Sequence, residues 1–257
     1  MLRYFVFLAV MFLSACVTET TSSFKPKENQ GEALSLYIQL GLAYIQKQDT
    51  DRARMHLTRA LEIDPDSAGA HAGFGLLYQR EGEPALAEKS FQHSLRSDPG
   101  YTRGRTYYAA FLYSKKEYAK ALDQLTVASQ DTEYDGRAQV FVNIARCAVR
   151  LKDNDRALKA FEKATLLDRS LVGTIVDLIE VQLDMQEYDE AQRLYARMQN
   201  YIKHGAMTHS PRSLLAGARL AMHYKKPDQV ASLGLVLKNL YPNSPEYKQY
   251  KALMTNE

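Results

Sequence analysis

Two of the six histidines of this 257-residue chain, His204 and His209, stand five residues apart, and they and the two cysteines, Cys16 and Cys147, are the residues whose types and spacing come nearest to metal binding or nucleophilic chemistry. A zinc ion takes three or four nitrogen, sulfur or carboxylate ligands, and neither a cysteine nor an acidic cluster accompanies the histidine pair. His204 and His209 therefore read as polar loop residues. Cys147 stands beside Ala148 in an apolar helical stretch, the setting of a buried, inert thiol. Cys16 falls in the leader, so Cys147 has no partner for an internal disulfide and stability must come from packing. The chain contains no HExxH, GxSxG, phosphate-loop or GxGxxG pattern. The expectation is a protein with no catalytic residue, metal or cofactor, whose work lies in its surfaces.

Composition narrows those surfaces. Lys plus Arg is 33 and Asp plus Glu is 30, a formal charge of +3. Nucleic-acid binding needs a strong basic excess to release counterions, so no nucleic-acid partner is expected. Sparse glycine and proline over this length favour an all-helical fold.

The elements that would carry a binding surface are legible as a repeat. Gly41 returns 34 residues later as Gly75, Tyr44 as Tyr78, Ala53 as Ala87, Leu57 as Phe91 and Pro65 as Pro99. Tyr37, Leu40, Gly41 and Tyr44 share one helical face, and glycine there lets a second helix approach closely. Ala53 and Ala60 are the small residues of that second helix, with Leu57 the large knob between them. Pro65 ends it, because proline supplies no backbone donor. This period and pattern are similar to the tetratricopeptide repeat, a pair of antiparallel helices. The resemblance implies an all-α superhelix of about six repeats over 34–242, with a C-terminal capping helix in 243–257. The units start at 34, 68, 102, 138, 172 and 211. Later units depart from the pattern: Glu133 stands for proline in the third, Ile179 for a small residue in the fifth, and Gly234 for a large one in the sixth.

Residues 1–15, MLRYFVFLAVMFLSA, carry one early cation and an apolar run from Tyr4 to Leu13. Such a run is shorter than the roughly 20 residues that span a bilayer and fits a cleaved signal peptide. Leu13-Ser14-Ala15-Cys16 resembles a bacterial lipobox, which implies lipidation of Cys16 and cleavage before it. Val17 follows where an aspartate would imply inner-membrane retention, so the resemblance points to the periplasmic face of the outer membrane. Acyl chains contribute about 0.8 kcal/mol per buried methylene and anchor stably in twos or more. The polar remainder of 16–33 reads as a flexible tether.

In tetratricopeptide repeats the concave surface is formed by fixed positions of each first helix. In the first unit these are Ser35, Ile38, Leu42, Ile45 and Gln46; Leu76 continues them in the second and Tyr113 in the third. Ile38, Leu42 and Ile45 exposed together would make an apolar groove suited to a protein partner, unless the tether, through Phe24, folds back to cover it. Ile38 and Leu42 stand where repeats that clamp chaperone carboxylates carry Lys and Asn, which excludes that class. Arg146, Arg150 and Arg219 occupy concave positions of later units and could meet an acidic partner, or pair with Glu180 and Asp184 on a solvated face.

A lipobox leader, a tether and six such repeats resemble the type IV pilus biogenesis lipoproteins of Gram-negative bacteria, the PilF/PilW family. ALSLYIQLGLAYIQKQDTDRARMHLTRALEIDP and Tyr241-Pro242-Asn243-Ser244-Pro245 carry the likeness. It implies a pilotin, which escorts or stabilises the outer-membrane secretin PilQ, with no small-molecule substrate. A peptidoglycan-associated scaffold that recruits cell-wall enzymes is the alternative, and an unrecognised periplasmic enzyme is a third reading.

Overall fold

The computed structural model describes residues 26–255. The leader, Cys16 and Phe24 lie outside them. Thirteen helices follow in order among the described residues: α1 (Pro26–Gln46), α2 (Thr50–Ile63), α3 (Ala68–Glu81), α4 (Pro84–Ser97), α5 (Thr102–Ser114), α6 (Tyr118–Ala128) and α7 (Arg137–Arg150). They continue as α8 (Asn154–Leu167), α9 (Thr174–Asp184), α10 (Tyr188–Lys203), α11 (Pro211–His223), α12 (Pro227–Leu240) and α13 (Pro245–Thr255). The first twelve form six antiparallel pairs, one per expected unit, and α13 closes the C-terminal end.

One backbone feature shows that the pairs are in step. The fifteenth residue of every unit is left-handed: Gln48, Gly82, Lys116, Lys152, Gln186 and Lys225, with φ between 53° and 79°. The next residue in each case donates its N–H back into the first helix, as Asp49 to the Tyr44 carbonyl at 3.0 Å and Lys226 to the Ala221 carbonyl at 2.9 Å. This left-handed cap satisfies carbonyls that a helix end leaves free and turns the chain into the second helix. Asp49 and Asp153 then cap α2 and α8 by accepting from the backbone N–H three residues on.

Small residues set the helix spacing as the sequence implied. A Cβ on Gly41 would lie 2.7 Å from Leu57, and one on Gly75 would lie 2.6 Å from the Phe91 ring. The irregular units solve the same problem differently. In unit five, Ile179 fills its own site and the knob Tyr195 lies instead over Gly217 of the next unit. Burial without a hydrogen-bond partner pushes the Tyr195 hydroxyl up to about 12. Gly234 in α12 leaves room for Tyr250 of α13, whose hydroxyl donates to the Val230 carbonyl at 3.2 Å. Where unit three lacks proline, Asp131 holds the turn by accepting from the Glu133 N–H at 3.1 Å.

The N-terminal boundary differs from expectation. α1 begins at Pro26, inside the segment 16–33 read as tether. Proline suits a first helical turn, and Glu28, Gln30, Glu32 and Ala33 favour helix without needing burial. Residues 29–32 are exposed. Helix formation here leaves no apolar periodicity in the sequence.

Candidate protein-binding surfaces

α1 is the first helix of the stack, and its two free faces differ. The outward edge, which a preceding repeat would cover, carries Ala33, Leu36, Leu40 and Ala43 at helical spacing. Leu36 is 55% exposed. At the other end of the stack α13 covers α11 and α12; among the described residues nothing comparable covers α1.

The concave side of α1 is less open than the repeat positions implied. Ile38 is half-buried, its Cδ1 3.0 Å from where Gly69 would carry a Cβ, so it packs against α3. Leu42 and Leu76 are half-buried together against the core of units one and two. Ile45 is 7% exposed and belongs to that core, with Leu57, Phe74 and Leu77. It is therefore a packing residue and not part of a groove. The reason is local: α1 sits against both α2 and α3, and Ile45 points into the seam between them. Leu36 lies off the concave positions; the i, i+3, i+7, i+10 run of Ala33, Leu36, Leu40 and Ala43 is the sequence signal for this edge.

Tyr113 lies apart from the first-unit residues, in a charged region of units three to six. Its hydroxyl accepts from Arg150 Nε at 3.2 Å, and its ring meets Tyr118 edge-on. A cleft of about 470 Å³ between α7 and α9 has Val149, Phe161 and Val181 among its walls, with Tyr113, Arg146 and Arg150 at its margin. The facing row on α9 is acidic: Asp177, Glu180 and Asp184. Arg146 pairs with Asp177 at 3.5 Å and Arg219 with Asp184 at 3.0 Å. Arg212 of α11 bonds Asp177 at 2.6 Å and also pairs with Glu180, and these contacts, Glu180 foremost, raise its guanidinium further above the ordinary range. Of the expected pairings only Arg219 with Asp184 forms; Glu180 pairs with Arg212, Arg146 with the buried Asp177, and Arg150 bonds the Tyr113 hydroxyl, so Arg212 and Asp177 are members that sequence reasoning missed. The Arg219 and Arg212 pairs join residues about one repeat apart on neighbouring first helices. That spacing was a usable signal.

The other chemically suggestive residues are occupied locally. His204 Nδ1 lies 2.8 Å from the Asn200 carbonyl, and His209 Nδ1 lies 3.2 Å from Ser213 Oγ at the start of α11. Cys147 is fully buried, which pushes its thiol up to about 11. Among the described residues no helix is long and apolar enough to cross a membrane.

Profiles of the tetratricopeptide repeat match residues 41–82, 72–136 and 138–171. The type IV pilus assembly protein PilF of Pseudomonas aeruginosa is 38% identical over 248 residues, 96% of each chain. This chain belongs to the PilF family of type IV pilus tetratricopeptide-repeat proteins. The solved Pseudomonas aeruginosa PilF superposes with a TM-score of 0.77, over 87% of this chain and 99% of that one. PilW, a type IV pilus biogenesis factor, shares the fold at a TM-score of 0.72 and 18% identity, over 84% of this chain and 97% of that one. An uncharacterized Haemophilus influenzae protein is 26% identical over 62% of this chain and 89% of its own. PilF-family membership places the chain among interaction scaffolds of the pilus system.

Proposed function

We propose that this protein is a non-catalytic outer-membrane lipoprotein, anchored through Cys16, that binds subunits of a PilQ-like secretin and promotes their localisation or assembly. The observation that carries the reading is the apolar edge of α1, with Leu36 exposed and Leu40 half-buried, next to the half-buried Ile38 and Leu42 on its concave side and Leu76 of α3. A repeat stack normally needs each end covered to stay soluble, and its far end has α13. A first helix with an apolar edge that no other described residue covers, ten residues after the proposed anchor site, suits a protein partner held at the membrane surface. Confinement to the same membrane raises the partner's effective concentration, so moderate affinity suffices.

The test uses Leu36→Arg and Leu42→Arg in cells deleted for the native gene, with secretin oligomers resolved on non-denaturing gels. The expected result is loss of oligomers with Leu36→Arg and at least partial loss with Leu42→Arg, while circular dichroism of both purified variants stays helical. Normal oligomers in both would reject this surface. Cys16→Ala is expected to leave folding intact and move the protein out of the outer-membrane fraction; unchanged fractionation would reject the anchor.

A further inference from the structure

A second apolar surface lies at the junction of units four and five, on a different face of α9 from the acidic row. The first three repeats are joined by four-residue connections, Asp64–Ser67 and Asp98–Tyr101, and the later ones by longer segments. The connection from α8 to α9 is six, residues 168–173, and brings Leu171 and Val172 in place of a proline turn. A cleft of about 530 Å³ opens there between the second helices α8 and α10. Leu171, Val172, Ile175, Leu178 and Leu194 form its apolar walls, and Leu166 stands at its lip. Leu166 is 69% exposed, the most open large apolar side chain among the described residues.

Two cations flank this cleft, Arg169 and Arg197. Among the described residues neither has a carboxylate within ion-pair distance, whereas Arg146, Arg212 and Arg219 on the concave face are all paired. Glu162, the single carboxylate of the lining, engages neither of them. Arg197 is held in place by its bond to the Tyr201 hydroxyl at 2.9 Å and by that ring beneath it. An oriented, unpaired guanidinium at the rim of an apolar cleft is a ready partner for a carboxylate.

We propose that this cleft docks an amphipathic helix of a partner protein, one whose aliphatic side chains are flanked by Asp or Glu. A groove between two helices accepts a third through anchors spaced i, i+3 or i+4, and i+7. The aliphatic anchors fill the walls from Leu171 to Leu194, and the flanking carboxylates reach Arg169 and Arg197. A bilayer surface fits less well, because all the apolar lining except Leu166 is recessed and a flat surface cannot enter it. The site is independent of the α1 surface, so the scaffold holds two partners at once.

The test is a fluorescence-anisotropy titration of the full chain carrying Cys16→Ser, with two labelled synthetic helical peptides as probes. Both have leucines at i, i+3, i+4 and i+7; one has glutamates on the flanks and the other lysines. The glutamate peptide is expected to bind at least about tenfold more tightly than the lysine peptide, through its carboxylates. Leu166→Glu abolishes that binding, Arg169→Gln or Arg197→Gln weakens it about tenfold, and Leu36→Arg leaves it unchanged. Equal affinity for the two peptides, no binding of the glutamate peptide, or full binding by Leu166→Glu would overturn the proposal. So would phosphatidylglycerol-vesicle binding that Leu166→Glu removes in a chain that ignores the peptide; that result would assign the surface to lipid.

Discussion

Placing a methyl group on Gly75 tests the nesting of helices that builds this scaffold. The new Cβ would fall 2.6 Å from two carbons of the Phe91 ring, about 1 Å inside the ordinary contact distance of ~3.5–4.0 Å. Phe91 is fully buried and cannot swing away. Overpacking of this kind costs about 1–3 kcal/mol, while alanine gains about 1 kcal/mol over glycine in helix propensity. The net expectation for Gly75→Ala is a loss of about 0–2 kcal/mol, or up to roughly 8 °C in Tm for a domain of this size. Gly31→Ala is the matched control, because nothing lies within 4 Å of its Cβ position in the exposed start of α1. It should gain up to about 1 kcal/mol. Phe91→Leu should cost less in the Gly75→Ala background than alone, by about 1 kcal/mol of coupling. Urea unfolding followed by circular dichroism measures all four. If Gly75→Ala stabilised the protein as Gly31→Ala does, or if the double variant were additive, the close-approach argument would be wrong.

Three other outcomes follow from particular contacts. Lys152 adopts φ 61° and carries a Cβ that this conformation disfavours, so Lys152→Gly should gain about 1 kcal/mol and Gly82→Ala should lose as much or more in the same urea assay. Arg212→Met leaves Asp177, whose side chain is 9% exposed, with Arg146 alone at 3.5 Å; because the arginines are nearly half exposed, the usual buried-pair cost shrinks to about 2 kcal/mol, and an unchanged urea midpoint would show that the pairs across α9 are inert. Burial raises the Cys147 thiol from 9.0 to about 11, so its contribution to stability is complete below about pH 9 and is lost as pH rises towards 11. Relative to Cys147→Ala, the wild type should therefore lose about 2–3 kcal/mol between pH 8 and pH 11, and a pH-independent difference would contradict the burial.

The repeat was readable because its determinants are local. Gly41, Gly75 and Pro65 act on their own helix or the next, so a period of 34 fits the turns at Gln48, Gly82 and Lys116, while those at Lys152 and Lys225 follow unit starts shifted by two and about five residues. The compensations were not readable. Tyr250 fills the space over Gly234, and Tyr195 the space over Gly217, by reaching out of their own helix pairs. The groove was only partly legible for a related reason. Position within a repeat says which way Ile45 points, but whether it is covered depends on how Phe74 and Leu77 of the next unit pack. The surface at Leu166 is not legible in the repeat pattern because it arises where residues 168–173 meet the second helices α8 and α10, away from the concave positions of the first helices.

The central claim, that the first helix grips a secretin subunit, is tested most directly by a photo-reactive amino acid placed at Leu36 in living cells. Irradiation should yield a covalent adduct that antibodies identify as containing the secretin, and the same probe at exposed Leu235 of α12 should not. An adduct lacking secretin at position 36, or secretin trapped equally from both positions, would contradict the account.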